Sequence, residues 1–150
     1  MTACPYPIAD LLPHAEPMVL LDRVTAWDNE GLTASVTIRL DTRFATPGRG
    51  VAAHIAVEWM AQACGAFAGL RAQATGLPVR LGFLLGTRDF TADRAWFATG
   101  ETLAVSVRQV FHETSMAVFD CHINCKETIC ARARLTVFQP SGSDSGEATA

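Results

Sequence analysis

A carboxylate standing alone in a long apolar run is the first residue of this 150-residue chain to suggest chemistry. It is Glu58, between Val57 and Trp59. From Val51 to Thr75 the sequence carries Ile55, Val57, Trp59, Met60, Cys64, Phe67 and Leu70 among many alanines, with no proline and only two charges, Glu58 and Arg71. The run predicts one long helix, apolar nearly all round and therefore buried nearly all round. A carboxylate buried there without a partner is costly unless it takes up a proton. Burial makes a carboxyl hold its proton to higher pH, as a general acid or base near neutral pH requires. Such a cost is tolerated most readily at a working site. The structural alternative is a glutamate that faces a gap to solvent or bonds a neighbour.

Three other side chains bear on Glu58. His54 lies four residues earlier, on the same face of the expected helix. It falls in the first turn, where backbone N–H groups favour developing negative charge and would polarise a substrate carbonyl. Its structural reading is an ion pair with Glu58, or simple exposure. Gln62 is one turn further on and would orient Glu58 or a substrate, or serve as a structural hydrogen-bonder. His14, in Leu11-Leu-Pro-His14, either reaches back to the site or fixes the entry of the chain. His112 is expected in a turn and His122 in a strand, both structural. No phosphate-binding glycine loop precedes the helix, and no G-x-S-x-G element occurs.

The elements that must position these residues follow from period and punctuation. Ile8–Leu12 reads as a helical turn among prolines. Met18–Trp27 and Leu32–Leu40 read as the arms of a hairpin turning at Asp28-Asn-Glu-Gly31, with Leu32, Ala34, Val36, Ile38 and Leu40 on the inner face. A loop over 41–50 leads to the helix, which Gly76-Leu-Pro78 ends. Ala61, Gly65 and Gly69 would let another backbone approach the helix. Strands are expected at Arg80–Phe90, Thr102–Phe111, Met116–Asn124 and Thr128–Phe138, with breaks between them. The polar tail over 140–150 is expected to be disordered. The result is one α+β domain over 1–139, a helix wrapped by a curved antiparallel sheet. Its free sheet edge predicts pairing with a second copy.

Composition narrows the partners. The net charge is −3, Lys126 is the only lysine, and the arginines are scattered, which argues against nucleic acid. No uninterrupted apolar run is long enough for a membrane span, and no leader pattern opens the chain. Five cysteines at irregular spacing read as free thiols in the cytoplasm. A zinc site would need Cys121, His122, Cys125 and Cys130 to converge, but a strand points His122 away from Cys121 and Cys125. No metal or cofactor is expected.

Two segments resemble a known family. Leu11-Leu-Pro-His-Ala-Glu-Pro-Met-Val-Leu-Leu-Asp-Arg-Val24 is similar to the opening of the hot-dog β-hydroxyacyl-ACP dehydratases, and Val57-Glu-Trp-Met-Ala-Gln-Ala-Cys-Gly65 resembles their central helix. Leu81-Gly-Phe-Leu-Leu-Gly-Thr-Arg88, Phe119-Asp-Cys121, Ala131-Arg-Ala-Arg-Leu135 and Gln139-Pro140 resemble a subgroup associated with aryl polyene biosynthesis. The resemblance implies a hot-dog fold and obligate dimers. It implies dehydration of a 3-hydroxyacyl group on acyl carrier protein to the trans-2-enoyl form. A histidine of one chain would remove the C2 proton, and the helix carboxyl of the other, here Glu58, would assist loss of the hydroxyl. A helix N-terminal N–H, here placed at Ala53, would polarise the thioester carbonyl.

The chain departs from that pattern. The family's histidine lies fourteen residues before the glutamate in a His-Phe-Pro-Gly element, where this sequence has Phe44, and Ala45-Thr-Pro-Gly48 nearby holds no histidine. Ala52-Ala53 replaces the Pro-Gly before the helix. The base is therefore expected from His54, from His14 or from a partner chain. Two alternatives to dehydration stay open: an acyl thioesterase using the carboxylate alone, and a non-catalytic hot-dog subunit beside an active dehydratase. The expected partners are an acyl carrier protein and, as homodimer or hetero-oligomer, another hot-dog chain.

Overall fold

The structure, a computed structural model, describes residues 1–12, 18–77 and 82–139. His14 and the expected tail over 140–150 lie outside the described residues.

A 3-10 turn at Ile8–Asp10 precedes the first hairpin, β1 (Arg23–Trp27) and β2 (Gly31–Thr37). The Asp28 carboxylate makes the turn by accepting from the N–H groups of Glu30 (2.8 Å) and Gly31 (3.1 Å). Along β2 the alternation holds: Leu32, Ala34 and Val36 are buried, and Ile38 follows them inward. Leu40 does not, at 83% exposed. The strand has ended at Thr37, and a turn closed by Arg39 N–H donating to Thr42 Oγ1 (2.6 Å) carries Leu40 outward. The first arm is also shorter than expected, because residues 18–20 are bonded to the helix instead of to a strand.

The long helix starts later than its apolar run. Gly50–Ala52 forms β4, paired with β3 (Ala45–Thr46) on one side and β6 (Trp96–Phe97) on the other. At φ +104° Gly50 takes a conformation that a side chain rarely adopts, and a Cβ there would collide with the Phe97 carbonyl oxygen. Ala53–Ile55 then makes a 3-10 turn, and α1 runs from Ala56 to Ala74. It stops in a Schellman motif: Gly76, at φ +74°, donates to Gln73 O (3.2 Å), and Leu77 donates to Ala72 O (2.8 Å).

The main sheet has the order β1-β2-β7-β8-β9-β5, antiparallel throughout, with β5 (Phe83–Ala92), β7 (Thr102–Glu113), β8 (Met116–Cys125) and β9 (Thr128–Phe138). It curls around α1. Phe67 meets Phe119 edge-on (centroids 5.8 Å apart), and Trp59 meets Phe97 (5.3 Å). Gly69 lets a backbone approach, as expected, but that backbone is Leu11 of the N-terminal segment rather than a strand. Among the described residues β5 pairs only with β9, so its other edge is open.

Candidate active site

Burial on α1 is one-sided. Trp59, Met60, Ala63, Phe67 and Leu70 are sealed under the sheet. Glu58, Ala61, Gly65, Ala68 and Arg71 recur every three or four residues and line a cleft of about 520 Å³. The sheet covers one stripe of the helix and leaves this one open. The expectation of a buried Glu58 is therefore corrected: its side chain is exposed, at the mouth of the cleft. Among the described residues nothing donates to its carboxylate or pairs with it.

The cleft walls come from distant segments. On one side lie Met18 and Leu20, fixed by Gln62. The Gln62 Nε2 donates to Met18 O (2.6 Å), and Leu20 N–H donates to Gln62 Oε1 (2.8 Å). Both ends of this buried amide are thus engaged by backbone, and Gln62 shapes the wall instead of orienting Glu58. Phe44, at the position fourteen residues before Glu58, also lines the cleft, in the left-handed conformation at φ +69°. Opposite stand the β7–β8 hairpin, with His112, Ser115, Ala117 and Phe119, and the ends of β5 and β9, with Leu84 and Val137.

His54 is exposed but does not line the cleft, and it makes no ion pair with Glu58 within 4.0 Å. The 3-10 turn that holds His54 winds more tightly than α1, which rotates it further from Glu58 than four residues of continuous α-helix would. The Ala53 N–H is not available to a substrate carbonyl, because it donates to Ala95 O (2.9 Å).

His112 is the residue that sequence reasoning misplaced. It lies within β7, not in a turn, and faces the same cleft as Glu58. A β-bulge causes this. Gln109 pairs with Phe119, but Phe111 pairs with Val118, so one extra residue enters β7. Before the bulge the inward set is odd-numbered, Leu103, Val105 and Val107. After it His112 pairs with the buried Ala117 and turns inward. Strict alternation could not have shown it.

The sequence matches the family model described as ApeP-like, ApeP dehydratase, over residues 6–149. The chain belongs to the ApeP-like dehydratase family. It is similar in sequence to a 3-hydroxyacyl-[acyl-carrier-protein] dehydratase, FabZ, of Ehrlichia chaffeensis, with 29% identity over 133 residues, 85% of this chain and 89% of the relative. The dehydratase heterocomplex ApeI:P from Xenorhabdus doucetiae contains a chain similar in structure, with a TM-score of 0.88 and 27% identity, covering 96% of this chain and 97% of that one. A hypothetical thioesterase with coenzyme A from Streptococcus pneumoniae shares the fold alone, with a TM-score of 0.63 and 10% identity over 79% of this chain and 85% of that one. The ApeP-like chain thus has the hot-dog fold expected from its two motifs, one helix held in a curved antiparallel sheet. No helix among its described residues is long and apolar enough to cross a membrane.

Proposed function

We propose that this ApeP-like chain supplies the acid of a dehydratase acting on a 3-hydroxyacyl group held as a thioester on acyl carrier protein. The base removes a proton from C2 while the Glu58 carboxyl protonates the departing C3 hydroxyl. Water leaves, and the acyl chain stays on its carrier as the trans-2-enoyl thioester. The observation that carries this reading is the position of Glu58: a carboxyl with no partner among the described residues, on the rim of an apolar cleft, in a chain of a dehydratase family.

The base is assigned to a histidine of a second, different hot-dog chain. In the arrangement the family resemblance implies, a homodimer would set Phe44 against Glu58, and Phe44 cannot move a proton. A partner carrying the histidine restores one complete site. The heterocomplex formed by the ApeI:P relative supports this choice. The open edge of β5, with Leu84 40% and Leu85 58% exposed, offers the place to pair. The partner would also cover the cleft and exclude water from Glu58. His54 does not line the cleft, and His14 lies outside the described residues. One observation favours a second reading: His112 already shares the cleft with Glu58, and it would act as an in-chain base.

The carrier reading has support in two exposed arginines. Arg43 lies over the Phe44 ring (5.4 Å), and Arg49 over Trp96 (5.3 Å). Neither has a carboxylate partner among the described residues, so both guanidinium groups remain open to an acidic carrier. A cytoplasmic location fits the five free thiols.

Intact-mass measurement of a 3-hydroxyacyl carrier protein tests the reading. Loss of one water with the chain still attached is the expected result. Release of free carrier would instead establish thioester hydrolysis, and an unchanged carrier in the presence of the partner would leave a non-catalytic subunit.

A further inference from the structure

Away from Glu58, a second arrangement of reactive groups is built into the β8–β9 hairpin. Cys125 closes β8, and Cys130 is the third residue of β9, across the two-residue turn Lys126-Glu127. The register slips here: Asn124 pairs with Ile129, but Ile123 pairs with Ala131, leaving Cys130 as the extra residue of a bulge. A bulge re-aims a side chain. This one turns Cys130 inward and brings its Sγ to 3.1 Å from that of Cys125. A disulfide, at ~2.05 Å, needs about 1 Å of further approach. The other close thiols, Cys64 and Cys121, are 4.0 Å apart.

The surroundings favour a reaction at this pair. Cys130, itself only 2% exposed, borders a shallow recess of about 220 Å³ with Asp93 and Arg132, the approach for a small oxidant. Cys125, 9% exposed, lies against the Glu101 carboxylate, which also accepts from Arg94 Nη1 (3.0 Å). Burial first, then the contacts with Cys130 and Glu101, pushes the Cys125 thiol up, so it is a poor nucleophile toward outside reagents. Its reaction is with the sulfur beside it.

We propose that Cys125 and Cys130 form a reversible disulfide site, oxidised by a peroxide and reset by a dithiol. The Cys130 sulfur attacks one peroxide oxygen, the O–O bond breaks, and a sulfenic acid and one water result. The Cys125 sulfur then attacks the Cys130 sulfur, the S–O bond breaks, and the second water leaves. Two thiols give up two electrons and two protons, and the peroxide becomes two waters. The bond would form under the segment that holds the start of the helix. Asp93 N–H donates to Cys130 O (2.9 Å), and Ala95 O accepts from Ala53 (2.9 Å).

Trypsin makes the test direct. It cuts after Lys126, between the two cysteines, giving Gln109–Lys126 and Glu127–Arg132. Folded protein is treated with hydrogen peroxide, its remaining thiols are alkylated, and the digest is read by mass spectrometry. The expected product is those two peptides joined, two hydrogens lighter than their sum, separable by dithiothreitol, with fragmentation placing the link on Cys125. It should form before any link between Gly50–Arg71 and Gln109–Lys126, which would report Cys64 and Cys121. Separate peptides with both thiols alkylated, a sulfinic acid on Cys130 without a link, or a link on Cys121 would each overturn the proposal. None of these results depends on the dehydratase reading.

Discussion

Glu58 and Gln62 sit one turn apart on α1 and have opposite fates. Gln62 is 6% exposed and has both ends of its amide bonded, while Glu58 has no partner among the described residues. Removing Gln62 should therefore change the shape of the cleft before it changes the chemistry. Gln62→Ala leaves the partly buried Met18 carbonyl and Leu20 N–H unpaired and should cost about 1–3 kcal/mol, read from urea denaturation. Glu58→Gln removes the proton donor but keeps the volume. It should lower kcat by about 100-fold or more, with the denaturation midpoint little changed. His112 decides between the two sources of the base. With the partner chain present, His112→Gln should leave kcat within about threefold, against the ~10²-fold or greater loss expected of a general base. A loss of that size would transfer the role to this chain.

At the level of elements, the hairpin at Asp28, the last three strands and the long helix were legible from turn residues and hydrophobic period. Their exceptions share one cause, contacts made far away in sequence. Gly50–Ala52 continues the apolar run of the helix, yet it is a strand because Trp96–Phe97 is there to pair with it. Met18–Leu20 looks like a strand but bonds to a helix side chain. The bulges that turn His112 into the cleft and Cys130 toward Cys125 leave no mark in the pattern of residue types. Glu58 was legible as a candidate because a charge in an apolar helix is conspicuous. A base for it was not, because His54 does not line the cleft and His112 enters it only through a bulge. The close approach of Leu11 to Gly69 gives a prediction at this scale. Gly69→Ala forces a methyl group against the Leu11 carbonyl oxygen and should destabilise the fold by about 1–3 kcal/mol, again measured by denaturation.

For the whole molecule, an open sheet edge, an uncovered cleft and a missing histidine point the same way. On the proposed reading, the chain is one half of a working unit. A lysine placed at Leu85 on the open edge of β5 should weaken association with the partner chain, seen as a shift from dimer to monomer in native mass spectrometry. Reversing charge at Arg43 and Arg49 should raise KM for the carrier-bound substrate by about tenfold, leave kcat near its original value, and weaken the salt dependence of the reaction. The role of Glu58 is decided by following the mass of a 3-hydroxyacyl carrier protein incubated with the co-purified complex, wild type against Glu58→Gln. Loss of one water is expected with the wild-type complex, and an unchanged carrier with the variant over the same time. Full dehydration by the Glu58→Gln complex would contradict the role of Glu58 as the acid.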